Sequence, residues 1–209
     1  VHVSTMSGKL KGIPAVNCNT LSNSYCGTMR KSGTEKKKVI CKMCYSAAML
    51  EGSRKNCVTK FQYNSDWFSV PQTEFPVINS AWFRLHGHGE LINDIHFENY
   101  IRLADANPQT HFVLWTKRRD IINRYFNSVR AFVDDVDSYL PDNLRLIYSN
   151  PIIDHVMLEP PKHFHKVFNT VSFDNELENC TGRKCLDCRI CYDKNNYHKF
   201  LVEKVKVRR

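Results

Sequence analysis

A chain of 209 residues, 42% hydrophobic and 24% charged, has enough material for one domain, or one domain with a small appendage, and for a real core. No run is long and apolar enough to span a bilayer, and "VHVSTMSGKLKG" has no apolar stretch of the secretory kind, so the expectation is a cytosolic protein with no membrane partner. The net charge of +9, with basic runs in "TEKKKVICK", "TKRRD" and "VEKVKVRR", leaves open a solvated surface, a nucleic-acid partner or a nucleotide substrate, although no RNA-recognition or helix-turn-helix signature accompanies it.

In chain order, residues 1–40 are rich in Ser, Asn, Thr, Gly and Lys and predict an extended or looped segment. A helix is expected just after the first cysteine pair in "CKMCYSAAMLEGSRKN", and a second in "FQYNSDWFSV", stopped by Pro71. "VINSAWFRLHGHGE" reads as a strand followed by a glycine-containing turn. "NDIHFENYIRLADANP" reads as a helix, capped by Asn93 or Asp94, with Ile95, Tyr100, Ile101 and Leu103 mostly on one face. A buried strand "THFVLWTK", a helix "RRDIINRYFNSV", an acidic exposed loop or short helix "RAFVDDVDSYLPD", and strands "NLRLIYSNP" and "HKVFNTVSF" follow. This alternation favours a parallel sheet with crossover helices. In such sheets reactive groups gather beyond the carboxyl ends of the strands, which puts "HGHGE", "TKRR" and "SNP" on one rim.

Nine cysteines are many for the cytosol, and an odd count fits a disulfide framework poorly; closely spaced reduced thiols read better as metal ligands. Cys180, Cys185, Cys188 and Cys191 form C-x4-C-x2-C-x2-C on one short loop. Structural zinc usually joins two such pairs across a long segment, whereas short C-x2-C-x2-C runs are an iron–sulfur pattern, so a cluster is favoured over the alternative Zn²⁺. Arg183, Lys184 and Arg189 flank the loop and would offset thiolate charge. Cys26, Cys41 and Cys44 form a looser C-x14-C-x2-C group. Three thiolates on a four-iron cluster leave one iron open to a substrate or cofactor; Cys18 or Cys57 would instead close the site, and Cys57 alone reads as a small buried residue.

After the strand ending at "WFRL", Gly87 and Gly89 allow close approach or positive φ, Glu90 can receive an ammonium group, and His86 and His88 are candidate ligands or acid–base groups; a plain strand-ending turn is the competing reading. Lys117 and Arg118 stand at a strand's carboxyl end, where they can hold a carboxylate or phosphate or simply begin a helix. His155, His163 and His165 read as surface or structural, and Trp67, Trp82 and Trp115 as core.

From "GIPAVN" through "SYC", "CKMCYSAA", "FRLHGHGEL", "NPQTHFVLWTK" and "LRLIYSNP" to "CTGRKCLDCRICYD", the chain resembles the gene product 88 family of phages and mobile elements. That family is distantly similar to radical S-adenosylmethionine (SAM) enzymes. The resemblance implies a partial (β/α) barrel, a truncated radical SAM fold, over residues 1–175, and a cysteine-rich auxiliary segment over 176–209. It implies two [4Fe-4S] clusters, one on Cys26, Cys41 and Cys44 and an auxiliary one on Cys180, Cys185, Cys188 and Cys191. Gly87, Gly89 and Glu90 resemble the turn that contacts the SAM amino group, and Lys117 would help position that cofactor. The first gap is x14 where radical SAM enzymes usually have x3, and a histidine separates the glycines. The function so implied is a radical SAM-like enzyme served by an electron donor in the host cytoplasm. The alternatives are a non-catalytic iron–sulfur or zinc protein that binds nucleic acid or another protein, and an electron carrier.

Overall fold

The computed structural model describes residues 1–34, 37–130, 139–180, 182–193 and 195–205. Seven strands, β1 (Val3–Ser4), β2 (Ala15–Val16), β3 (Trp82–Leu85), β4 (His111–Thr116), β5 (Leu144–Ser149), β6 (Lys166–Val171) and β7 (Phe200–Lys204), form one sheet in that spatial order. β1 runs antiparallel to β2, and every later neighbour is parallel. The strand order never reverses, so there is no switch point of the doubly wound kind. β1 and β7 are the two edges, so the described residues form an open, mostly parallel sheet in a mixed α/β fold, without a closed barrel.

Parallel neighbours need crossovers, and crossovers of one hand in one direction along the sheet all land on the same side. Here α3 (Val58–Phe68), α4 (Asp94–Asp105) and α5 (Arg119–Arg130) supply the outer layer. Alternate strand residues Phe83, Leu85, Phe112, Leu114, Leu144, Leu146 and Val167 pack there with Phe68, Phe97, Tyr100, Ile122 and Phe126. Burying each such side chain contributes about 1.5–3 kcal/mol. The opposite residues, Val113, Trp115, Ile147 and Phe168, face an inner layer filled by Ile13, Tyr192, Leu186 and Cys180, Cys185 and Cys191. The C-terminal cysteine loop therefore covers the sheet face that carries no helix.

Local sequence explains the elements. Asn93 caps α4 by accepting the His96 N–H at 2.9 Å, and Phe97, Tyr100, Ile101, Leu103 and Ala104 form its buried face. Ile95 is only half-buried, and Phe97 takes the place expected of it. α3 ends at Ser69, two residues before Pro71. The looped reading of residues 1–40 misses β1, β2 and α1 (Ser24–Lys31), and the basic tail contains β7, whose Leu201 and Val202 are buried. β7 joins residues from the cysteine-rich segment to the same sheet as the rest. Most of the acidic stretch "RAFVDDVDSYLPD", residues 131–138, lies outside the described residues. His163 stacks on Phe126 at 4.2 Å, and His165 Nδ1 accepts the Leu146 N–H at 3.0 Å. No described helix is long and apolar enough to cross a membrane.

Candidate metal centres

The carboxyl ends of β2 to β5 form one rim, and the turn 86–90 is its centre. Several of the turn's backbone polar groups are bonded to the N-terminal segment. The His86 N–H donates to Val16 O (3.0 Å), the Tyr45 hydroxyl to Gly87 O (2.6 Å), the His88 N–H to Asn17 Oδ1 (2.7 Å) and the Cys18 N–H to His88 O (3.0 Å). The glycines permit this closeness. A Cβ at Gly87 would lie 2.7 Å from Asn17 Oδ1, and one at Gly89, where φ is +93°, would lie 2.6 Å from the Cys18 carbonyl. Both residues thus serve the contact of the turn with residues 17–18.

Glu90 is buried and clasps β3 to β4. Its carboxylate accepts the Thr116 hydroxyl, the Leu91 N–H (2.9 Å) and the Lys117 N–H (2.8 Å). Burial lifts its pKa above the usual carboxylate value, against the pull of Lys117 and these bonds. His88 is tied on both sides: Arg54 faces Nε2 at 3.5 Å, and Nδ1 bonds Ser46 Oγ at 2.9 Å. Burial and Arg54 hold it neutral, with a pKa of about 4.

The chain between β2 and β3 carries the first cysteine group across this rim. Asn23 starts α1, accepting the Cys26 N–H at 3.2 Å, while its own Nδ2 donates to Glu90 O at 3.0 Å. One side chain therefore begins the helix and anchors it. Cys41 belongs to a 3-10 turn (Ile40–Met43) and Cys44 follows it, ahead of α2 (Tyr45–Glu51). That turn is pinned to the exit of β5, where Ile40 N–H donates to Pro151 O and Ile153 N–H to Lys38 O, both at 2.9 Å. Cys26, Cys41 and Cys44 lie close enough to Lys117 to act on its charge. Burial raises the Cys26 and Cys41 thiols, and Lys117 opposes that rise. Burial pulls the Lys117 ammonium down, but Cys41, Glu90, Cys26 and Cys44 outweigh it and leave its pKa raised. Among the described residues its Nζ donates to the neutral Ser149 Oγ at 3.2 Å, so two of its three protons remain for a ligand above the rim. Thiols beside such an ammonium suit an anionic sulfur centre.

Cys57 leads into α3. Cys18 has partners of its own in the core. Cys18 is buried with His96 Nε2 at 3.8 Å and the Tyr100 hydroxyl at 3.7 Å, and burial pushes its thiol up to about 12. The Tyr100 hydroxyl also bonds His86 Nε2 at 3.0 Å. The donor atoms of Cys18, His86 and His96 all lie within 4.8 Å of one another. However, His96 Nδ1 accepts the Ile92 N–H at 3.4 Å, which keeps the proton on Nε2, toward sulfur. The trio is a hydrogen-bonded network in the core, in which His86 Nδ1 has no well-formed partner among the described residues.

The second cysteine group lies on the inner face. α6 (Cys185–Cys188) is one short turn that ends at Arg189 in the left-handed conformation, and it brings Cys185 and Cys188 to one side of the loop. Of the expected flanking cations, Arg183 reaches Cys188 Sγ only at 4.0 Å, and Arg189 turns back to Leu186 O. Two cations from far away in sequence are closer partners. Lys9 lies 3.8 Å from Cys180 Sγ while it pairs with Glu203. Arg84, from β3, is buried and acts on Cys185 and Cys191. Neither was visible as a site residue in the sequence, because the strand register alone turns Arg84 inward. Trp115 Nε1 is buried in the same layer without a hydrogen-bond partner among the described residues, and the Tyr192 hydroxyl, also buried, is within reach of Arg84 alone. An unpartnered indole N–H and a buried guanidinium in the layer that holds these thiols are groups an anionic iron–sulfur centre would satisfy.

The family model described as gene product 88 matches residues 5–168. The match covers the whole rim and ends within β6, so Cys180, Cys185, Cys188 and Cys191 lie beyond it. No curated protein matches the chain, and neither does any solved structure.

Proposed function

The chain belongs to the gene product 88 family, and from that premise we propose that it is an iron–sulfur protein with two centres, one at the rim on Cys26, Cys41 and Cys44 and one under the sheet on Cys180, Cys185, Cys188 and Cys191. The observation that carries this reading is the pairing of each thiol group with its own cation drawn from the sheet, Lys117 at the rim and Arg84 on the inner face.

An iron–sulfur cluster supplies one-electron chemistry, and an iron without a protein ligand supplies a binding position. The chain does the rest. Three thiols at the rim leave one position open. Lys117 Nζ, held by Ser149, offers two further protons toward a carboxylate or a developing negative charge there. Glu90 and Asn23 fix the position of the cysteine segment over the strand ends.

Radical SAM-like chemistry is the finer form of the reading. Six parallel strands in unbroken order, with the triad above their carboxyl ends, support it. In this form Gly87, Gly89 and Glu90 would line the SAM site and Lys117 would hold its carboxylate. An external electron donor would serve either form. Anaerobically purified protein is expected to be brown, with iron and sulfide near eight of each per chain if both centres are four-iron clusters. SAM cleavage under strong reductant, lost in Cys41→Ala, tests the finer form. Zinc in place of iron sinks the whole reading, and salt-sensitive retention of nucleic acid without cleavage would favour a binding role.

A further inference from the structure

At the amino ends of β5 and β6, away from the rim, lies a cavity of about 430 Å³, within the range of small-ligand sites, about 300–1,000 Å³. Arg145 of β5 and Lys166 of β6 line it. Arg145 is in register with Val113 and Lys166 with Ile147, both residues of the inner layer, so both cations extend on that side of the sheet. Lys166 is 4% exposed, and its ammonium is spent on the chain ahead of β7: it donates to Asn196 O (2.9 Å), Asn196 Oδ1 (3.3 Å) and His198 O (2.7 Å). Those bonds fix the loop that carries Tyr197. Arg145 differs. Among the described residues its guanidinium donates to Leu144 O alone, through Nη1 at 3.0 Å, and no described ion pair includes it. Most of its N–H donors are left for a ligand. Asp142 on the same wall offsets one of the cations Arg145, Lys166 and Lys199, and Glu159, paired with Lys199 at 3.0 Å, offsets a second. One cation stays in excess. Tyr197, also on the wall, is 83% exposed, more than any other large apolar side chain described, and its ring lies 4.3 Å from that of His198. An aromatic ring held in place by a buried lysine yet bare to solvent contributes little to the core, and it offers a flat face to a partner.

We propose that this cavity binds a nucleoside phosphate, free or as part of a single strand, with the phosphate on Arg145 and the base stacked on Tyr197. The guanidinium fork matches two phosphate oxygens, and a base finds on an exposed tyrosine the stacking platform that single-strand binders use. Each half alone leaves something unexplained. A bare anion gives Tyr197 no role, and an apolar ligand leaves the Arg145 donors unmet. A phosphate joined to a flat ring meets both. The net charge of +9 draws such anions to the chain in general, and the cavity gives one of them a defined seat. The site stands at the strand ends opposite to those that carry Cys26, Cys41 and Cys44, so the inference goes beyond the iron–sulfur reading and does not depend on it.

The test titrates the full chain with adenosine and uridine monophosphates, inorganic phosphate and adenosine by calorimetry, and with a short fluorescent single-stranded oligonucleotide by anisotropy. A monophosphate is expected to bind, and phosphate or adenosine alone to bind about tenfold more weakly or less. Arg145→Met should weaken the monophosphate by about tenfold, and Arg145→Lys, which keeps the charge but loses the fork, by less. Tyr197→Ala should cost about tenfold as well, while Tyr197→Phe, which keeps the ring, stays near the parent. Tyr197 is so exposed that its loss cannot act through folding, which guards against an Arg145 variant that unfolds. An oligonucleotide that binds and is displaced by a monophosphate assigns the strand as the source; a monophosphate that binds where the oligonucleotide does not assigns the free nucleotide. The inference is overturned if neither monophosphate nor oligonucleotide binds, if binding is unchanged in both Arg145→Met and Tyr197→Ala, or if inorganic phosphate binds as tightly as the monophosphates. Iron content decides none of these outcomes, so they stand or fall apart from the two centres.

Discussion

The rim and the inner face meet the same demand, gathering thiols against a cation, by opposite means. At the rim, three cysteines spread over nineteen positions are collected by backbone contacts: Asn23 to Glu90 O, Tyr45 to Gly87 O, and the strand-like pairing of Val39 with Ile152. On the inner face, four cysteines within twelve positions need one helical turn, and the sheet contributes a cation and a lid. A centre gathered by long-range contacts is only as well formed as the fold beneath it. A centre on one loop carries its geometry with it. This difference makes the rim the place where function and folding are coupled.

The largest test exchanges one region for the other. Cys41→Ala and Cys185→Ala are each expected to remove about half of the bound iron, and together nearly all of it, by iron and sulfide analysis. If either single change empties both centres, the two regions are not independent. Next in size is Gly89→Ala. The left-handed φ and a Cβ 2.6 Å from the Cys18 carbonyl predict about 3 kcal/mol of lost stability, read from denaturant midpoints, together with loss of rim iron. Gly52→Ala, whose Cβ would lie 3.2 Å from Ala48 O, is expected to cost far less.

A smaller effect is acid sensitivity, and it should belong to the rim. Burial lowers His86 to about 3 and His88 to about 4, and it lowers His96 as well. Folded protein then binds fewer protons than unfolded protein below the ordinary histidine value of about 6.5. Stability is therefore expected to be flat above that pH and to fall steadily as pH drops toward 4. Thermal unfolding against pH would show this, and His88→Asn should make the slope shallower. The smallest effect lies away from both centres. Arg124 pairs with Asp94 and Asp120 on the exposed side of α4 and α5, so Arg124→Ala should change stability by about 0.5 kcal/mol or less.

How much of this was legible follows the same divide. Long periodic stretches declared themselves: β4, β5, β6, α4 and α5 lie where alternation and the Asn93 cap put them. Two-residue strands such as β1 and β2 leave no periodic trace, and they were hidden in a segment of polar residues. The cysteines announced themselves by spacing, and their grouping around Lys117 follows from the strand order that the alternation of elements suggested. Arg84 had no such signal, because an arginine in "WFRL" looks solvent-facing until Phe83 and Leu85 are known to face the helices. The family match likewise stops at residue 168, short of the loop that Arg84 faces.

Because each strand of the sheet lies beside the one made just before it, a ribosome delivers every new strand to a waiting edge. β7 is the exception in one respect, since the cysteine loop must be threaded across the inner face before Phe200–Lys204 can dock. The last strand is thus added to a sheet whose inner face has already received the loop, so a truncation before Phe200 should leave the loop without its neighbouring edge.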